Sequence, residues 1–313
     1  MSDRIGTVLP IEPHYRPLME IKLRKVLLAS AVVVLAACSE ATSPSHKIAE
    51  LNPSAILISD AGTVVVTEAD IARQPESSPV PTDNWVFFYR TVASTGTFLI
   101  GPDAPPLGVG SFEMSTPASG DKGWLFNYDH VGAELADVDA ISYSTYRSAG
   151  SLQQVAALNL QVDVNGAAPG GFTTLVFEPV YNTGQGAVVN DEWQDWDAYS
   201  VGSAVWWSSN AIPSAPNRDT FVSWATIVAA NPDAIIVGGI GVNQGSGNPA
   251  LTTAVDALTF GYSGNSIAYD FEPFATATSK ASCMNGGWMN VKRADGSSFN
   301  NQGDCVSYLN TGR

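Results

Sequence analysis

Short stretches of alternating or apolar residues, separated by turn residues, fill the chain from Trp85 to Pro273. The stretch ALNLQVDV (157–164) has leucine or valine at every second position and polar residues between them. Asn165-Gly166 follows it, a pair that favours a two-residue hairpin turn. Most of the stretches have one polar face, which predicts an all-β fold: a two-sheet β-sandwich of jelly-roll or concanavalin-like type. The predicted strands are 85–90, 97–101, 110–114, 122–128, 139–147, 157–164, 173–180, 204–208, 234–242, 254–262 and 266–273.

One stretch, RDTFVSWATIVAANP, departs from this pattern. Asp219 or Thr220 can cap its start and Pro232 closes its end. We therefore predict one short helix at about 220–230, packed on the edge of the sandwich. The apolar residues at helical spacing are Phe221, Trp224, Ala225 and Val228.

A basic cluster, a short apolar run and a cysteine follow one another near the start of the sequence. The run from Val26 to Ala37 is shorter than a membrane-spanning helix requires, and the order is that of a secretory signal. Leu35-Ala36-Ala37-Cys38 resembles the lipobox of bacterial lipoproteins. The resemblance implies cleavage before Cys38 and lipidation of its thiol. An ordinary signal peptide with an incidental cysteine is the alternative, and the complete order of features favours the lipobox.

In lipoproteins, serine rather than aspartate after the cysteine implies export to the outer membrane, and residue 39 is Ser. The resemblance thus implies a bacterial cell-envelope protein whose partner is the membrane, reached through a lipid anchor. We expect four segments: a signal peptide (1–37, with Met19 as an alternative start), a lipidated tether with lead-in strands (38–83), the sandwich (84–273), and a linker with a cysteine-pair segment (274–313).

The chain is strongly acidic beyond the signal. Three of its 30 acidic and five of its 15 basic residues lie at or before Cys38, so 27 acids and 10 bases remain, a net charge of −17. Such a surface repels nucleic acid, so we expect no nucleic-acid partner.

Two cysteines remain when Cys38 is set aside. Outside the cytoplasm, Cys283 and Cys305 are expected to form a disulfide. The pattern C-x2-GGW…F-x-NQG-x-C around them resembles a terminal segment of exported bacterial proteins of no settled function.

The chain beyond the signal has few histidines for catalysis or metal binding. Only His46 and His130 follow the signal, and no nucleophile elbow lies near His130, so a Ser-His-Asp triad is not expected. A loop histidine that bonds locally is the preferred interpretation of His130. Zinc sites built on His and Cys are not expected either. We expect no cofactor, although acidic loops in exported proteins also suit a structural Ca²⁺.

Carboxylates and aromatic residues cluster in NDEWQDWDAYS (190–200). Paired carboxylates there could serve a glycoside-active enzyme, but the E-x-D-x-x-E pattern of laminarinase-like enzymes is absent. Tryptophans with nearby carboxylates also suit sugar stacking. Trp206 and Trp207 must face opposite sides of a strand, and we predict that Trp206 is in the core. The ligand-binding candidates are Trp193, Asp195, Trp196, Asp197 and Trp207.

Three functions are open on this evidence. We favour a non-enzymatic envelope protein that binds glycan, or another surface ligand, through an aromatic and acidic face. A jelly-roll glycoside-active enzyme and a passive surface or adhesion protein are the alternatives.

Overall fold

The computed structural model describes residues 62–79, 85–150, 154–166, 168, 170–200, 204–215 and 217–312. Within these residues, fourteen strands form two seven-stranded sheets. The predicted all-β sandwich is confirmed. The strands are β1 (Gly62–Val66), β2 (Ile71–Pro75), β3 (Trp85–Tyr89), β4 (Thr95–Ile100), β5 (Gly110–Thr116), β6 (Lys122–Asn127), β7 (Val138–Ala149), β8 (Ala157–Asp163), β9 (Phe172–Phe177), β10 (Trp193–Asp197), β11 (Trp207–Ser208), β12 (Ile235–Gly245), β13 (Leu251–Tyr262) and β14 (Asn265–Phe271).

Sheet A is organised around β13, the strand with a neighbour on both sides along its length. One edge of β13 pairs with β7, which in turn pairs with β10. The other edge pairs with β5 through its first half and with β14 through its second half. Strand β4 pairs with the other edge of β5, and β1 pairs in parallel with the other edge of β14. The sheet therefore forks where β5 and β14 diverge.

Sheet B has the order β11-β9-β8-β12-β6-β3-β2. All of its pairs are antiparallel except β2 with β3. Strand β2 extends into a Pro/Ser-rich stretch (73–83) whose composition is typical of a connection and not of a strand. Its proline is the last residue of an edge strand, a position where a missing N–H does no harm.

The core lies between the sheets and follows the period-2 pattern. Leu158, Leu160 and Val162 of β8 are fully buried there, while Asn159 and Gln161 belong to the opposite face. Trp206 is also in the core, with none of its surface exposed, as predicted.

Three short helices accompany the sheets in the described residues: α1 (Trp224–Ala230), α2 (Lys280–Cys283) and α3 (Gln302–Thr311). None of them has the length and apolar character needed to cross a membrane. Helix α1 begins later than predicted, because Ser223 caps it by accepting a hydrogen bond from the N–H of Thr226. Its buried residues are Trp224 and Ile227, whereas Phe221 precedes the helix and Ala225 is exposed.

The C-terminal segment has a small core of its own. Cys283 and Cys305 form the expected disulfide, with Cα atoms 5.7 Å apart. Ala277 and Phe299 pack with them in a cluster separate from the main core.

Candidate functional site

The outer side of sheet B carries a group of aromatic residues at its β11 edge. Trp207 lies opposite Val176 of β9, and because Trp206 fills the core, Trp207 points outward. A backbone bridge pairs Trp206 with Val222, which packs against the core. Phe221, the residue before Val222, is 40% exposed, and the antiparallel register of this bridge puts it across from Trp207 on the outer side.

Tyr181 completes this group. Its ring lies 4.7 Å from that of Phe221, centroid to centroid, and 50% of the residue is exposed. Buried Asn182 fixes the turn that holds Tyr181, since its side chain bonds the backbone of Glu178 and of Val205. We call Tyr181, Trp207 and Phe221, together with Glu178 and Arg218, the β11 aromatic site.

Two charged side chains frame the rings. A carboxylate oxygen of Glu178 accepts a hydrogen bond of 2.9 Å from the indole N–H of Trp207. The guanidinium of Arg218 lies 5.8 Å from the ring centroid of Trp207. Burial raises the pKa of Glu178, and the bond from Trp207 and the charge of Lys122 offset part of this rise. The site thus offers flat apolar rings beside a hydrogen-bond acceptor and a donor, the combination that positions a polar ring-shaped ligand.

Four of the five predicted ligand-binding residues lie elsewhere, on β10 at the edge of sheet A. Trp196 is buried in the core, where its indole N–H bonds the Thr145 hydroxyl at 2.7 Å, so it is not available to a surface ligand. Trp193 is half-buried against Tyr146, with ring centroids 5.7 Å apart. Only Trp207 belongs to the aromatic site on sheet B.

The carboxylates of β10 are already engaged. Asp195 accepts a bond of 2.6 Å from the hydroxyl of Ser144. Asp197 accepts bonds from the N–H groups of Tyr199 and Ser200. Burial alone would raise the pKa of Asp197, but the hydrogen bonds from Ser200 and Tyr199 outweigh burial and lower it. A side chain held in this way stabilises a turn, and nothing about it favours acid or base catalysis.

A second group of carboxyls, absent from the predicted site, lies buried at the fork of sheet A. It comprises Asp256 on β13, Asp270 on β14 and Glu272 just after β14. Asp270 and Glu272 are close enough to share a hydrogen bond. A glycosidase needs its two carboxyls about 5 Å or more apart to flank the scissile bond, so this pair does not suit that reaction.

His130 is buried, and its Nε2 lies 2.8 Å from the hydroxyl of Tyr269. The expectation that His130 bonds a group near it in sequence is therefore wrong, because its partner is 139 residues away. Burial is the main reason that the pKa of His130 falls to about 4, with Asp129 acting in the opposite direction. His46 lies outside the described residues, as does Cys38.

No three His, Cys, Asp or Glu side chains form a group suited to a metal ion in the ranges that the structure describes. Comparison of the chain with protein-family models, with curated proteins and with solved structures gives no match.

Sequence reasoning missed most of the β11 aromatic site. Phe221 was assigned to the buried face of a helix, and Glu178 and Tyr181 carry no motif in FEPVYN. For Asp270 and Glu272 a signal existed, because alternate residues of one strand share a face.

Proposed function

We propose that this chain is a lipid-anchored protein of the bacterial cell envelope that binds glycan, without catalysis, at the β11 aromatic site. The observation that carries the proposal is the exposed ring pair of Tyr181 and Phe221 beside Trp207. Large apolar rings at a protein surface usually signal an interaction. The apolar face of a sugar ring suits such a platform, and its hydroxyls suit Glu178 and Arg218.

The arrangement of the charges also favours a neutral, polar ligand over a purely apolar one. Glu178 remains half-buried with a raised pKa, and a carboxyl in this position gains from a hydrogen-bond donor. A sugar hydroxyl can both donate to Glu178 and accept from Arg218. A hydrocarbon surface would add no hydrogen bond to either group beyond those from Trp207 to Glu178 and from Arg218 to the carbonyl of Ser209.

The membrane anchor rests on the lipobox at Cys38. Lipidation would hold the sandwich at the surface of the outer membrane, where it meets polysaccharide. A single covalent chain gives only weak membrane binding, so the diacylglycerol of a lipoprotein suits stable anchoring better.

The test is a glycan array, followed by affinity electrophoresis of the chain from residue 39 onward on the glycans found. We expect Trp207→Ala and Phe221→Ala each to weaken retention by about tenfold or more, equivalent to about 1.4 kcal/mol. Trp193→Ala is the matched control, because Trp193 is also half-buried with a bonded indole N–H but belongs to sheet A. Retention that is unchanged in Trp207→Ala and Phe221→Ala would reject the site, and binding to no glycan would favour a passive surface protein.

A further inference from the structure

Loop 101–109, which joins β4 to β5, is fastened across the outer face of sheet A. The N–H of Leu107 donates to Asp256 Oδ2 at 2.8 Å. The N–H groups of Val109 and Gly110 both donate to Glu272 Oε1, at 2.5 and 2.9 Å. Near its other end, the carbonyl of Pro102 accepts a bond of 2.9 Å from the indole N–H of Trp193. We call loop 101–109 the strap.

The strap covers carboxyl oxygens that are not fully satisfied. Asp256, Asp270 and Glu272 are 0%, 7% and 2% exposed. Asp270 Oδ1 and Glu272 Oε2 are buried and accept no hydrogen bond from the described groups. A buried polar atom without a partner is costly. A proton on Asp270 can be donated to Glu272, since the two side chains lie within hydrogen-bonding reach.

The charges around this pair come mostly from other acids. The charge of Asp256 interacts with Asp270 and with Glu272. Glu113 of β5 lies opposite Ala254, two residues from Asp256 along β13.

The remaining neighbours of the pair add two acids and one base. Asp195 accepts a hydrogen bond from Ser144, and Ser144 lies opposite Asp256 in the pairing of β7 with β13. The strap contributes Asp103, and β1 has no titratable residue. From the C-terminal segment, Lys292 lies over the ring of Phe274, two residues beyond Glu272.

These surroundings disfavour negative charge. Burial, followed by the charges of Glu272 and Asp256, raises the pKa of Asp270 to about 7. Burial is also the main reason that the pKa of Asp256 rises to about 6, against hydrogen bonds from the backbone. A raised pKa means that the closed state holds its proton more tightly than an open, hydrated state. Closure is therefore strongest in acid, and weakens as the pH rises from the ordinary carboxyl value near 4 through about 7.

We propose that the strap is a pH-responsive closure, which holds while Asp270 is protonated and can donate to Glu272, and which lifts when Asp270 loses that proton. Loss of the proton leaves neighbouring carboxylates charged in a buried site, and lifting the strap admits water to them. Opening also frees Trp193 from Pro102. The outer face of sheet A around Asp256 and Ser144, both buried under the closed strap, then becomes accessible at neutral and alkaline pH.

A glycine in the strap, Gly108, permits the strap backbone to lie close to the carboxyls of Glu272 and Asp270. Gly108 has φ +52°, and a Cβ at this position would lie 1.8 Å from Glu272 Oε1 and 2.9 Å from Asp270 Oδ1. A side chain there collides with the carboxyl pair itself. Gly108→Ala should therefore keep the strap open at every pH, without changing the titrating groups.

The test is amide hydrogen exchange of the full-length protein in detergent micelles, from about pH 4.5 to about pH 8.5, corrected for intrinsic rates. We expect protection of the Leu107, Val109 and Gly110 amides to fall by up to about tenfold per pH unit until about pH 7, the slope for one proton. Asp270→Asn cannot ionise and can donate to Glu272, so it should keep the strap protected and leave only the smaller dependence due to Asp256. Gly108→Ala should remove protection even in acid.

Asp163→Asn is the control, because Asp163 lies on sheet B, where it accepts a bond from the N–H of Asn165 and does not contact the strap; it should retain the wild-type slope. Protection that does not change with pH in the wild type would overturn the proposal. A wild-type slope in Asp270→Asn would overturn it as well. If that variant does not fold, the fluorescence of Trp193, obtained as the difference between the wild type and Trp193→Phe, provides the same titration. A flat fluorescence titration would count against the strap.

Discussion

Among single residues, the neighbouring tryptophans at the start of β11, Trp206 and Trp207, perform different tasks. Trp206 packs against Phe177 and Trp224, with ring centroids 5.7 and 5.6 Å away. Truncating this buried residue leaves a large cavity, so Trp206→Ala should lower the free energy of unfolding by about 3–5 kcal/mol. Trp207→Ala removes a half-buried ring and one hydrogen bond to Glu178, and should lower it by about 1 kcal/mol. Urea unfolding of both variants measures the difference.

Equal losses of stability in Trp206→Ala and Trp207→Ala would contradict this assignment of faces. Trp193→Ala provides a reference for the loss of a half-buried tryptophan with a bonded indole N–H. Its loss should resemble that of Trp207→Ala.

Among the secondary-structure elements, helix α1 depends on its cap because it is only seven residues long. The Ser223 hydroxyl accepts from the Thr226 N–H at 3.2 Å, and this bond satisfies one of the free donors at the helix start. Ser223→Ala should lower the free energy of unfolding by about 0.5–2 kcal/mol.

Thr220→Ala is the matched control for Ser223→Ala. The sequence makes Thr220 an equally good cap, but its hydroxyl bonds Asn217 in the preceding turn. Thermal or urea unfolding should show a smaller loss for Thr220→Ala. A larger loss there than for Ser223→Ala would place the functional start of the helix earlier than Trp224.

For the whole molecule, the C-terminal segment and the sandwich should respond differently to reduction. The disulfide closes a loop with a sequence separation of 22, which is worth about 3 kcal/mol in the chain-entropy model. The Phe299 cluster is separate from the sandwich core. We expect reduction to increase hydrogen exchange in residues 274–312 while strands β3 to β14 stay protected. Loss of protection throughout the sandwich would show that the two cores are interdependent.

Attachment to the membrane also belongs to the whole molecule. Cys38→Ala removes the thiol that a lipoprotein pathway would alkylate, so labelling of the protein with radioactive palmitate should disappear. Ser39→Asp keeps the cysteine and serves as a control for processing; it should still be labelled, and only its membrane destination should change. Persistent labelling of Cys38→Ala, or a mature N-terminus other than residue 38, would reject the lipobox.

The sequence by itself determined the fold class and the facing of individual strands. The alternation in β8 placed Leu158 and Leu160 in the core. The adjacent residues Trp206 and Trp207 had to lie on different faces, because successive side chains of an extended chain point to opposite faces. The disulfide was also predictable, since only two cysteines follow Cys38.

Only the tertiary structure decided which residues meet. Alternation assigns a residue to a face but does not say in which sheet its strand lies. The strands that carry Trp193 and Trp207, β10 and β11, could therefore not be assigned to opposite sheets in advance. The partners of the strap are equally remote, since Leu107 and Asp256 are 149 residues apart. Their contact depends on the fork between β5 and β14, where one strand changes its neighbour. Such a fork is set by packing across the whole sheet and not by any local pattern of residues.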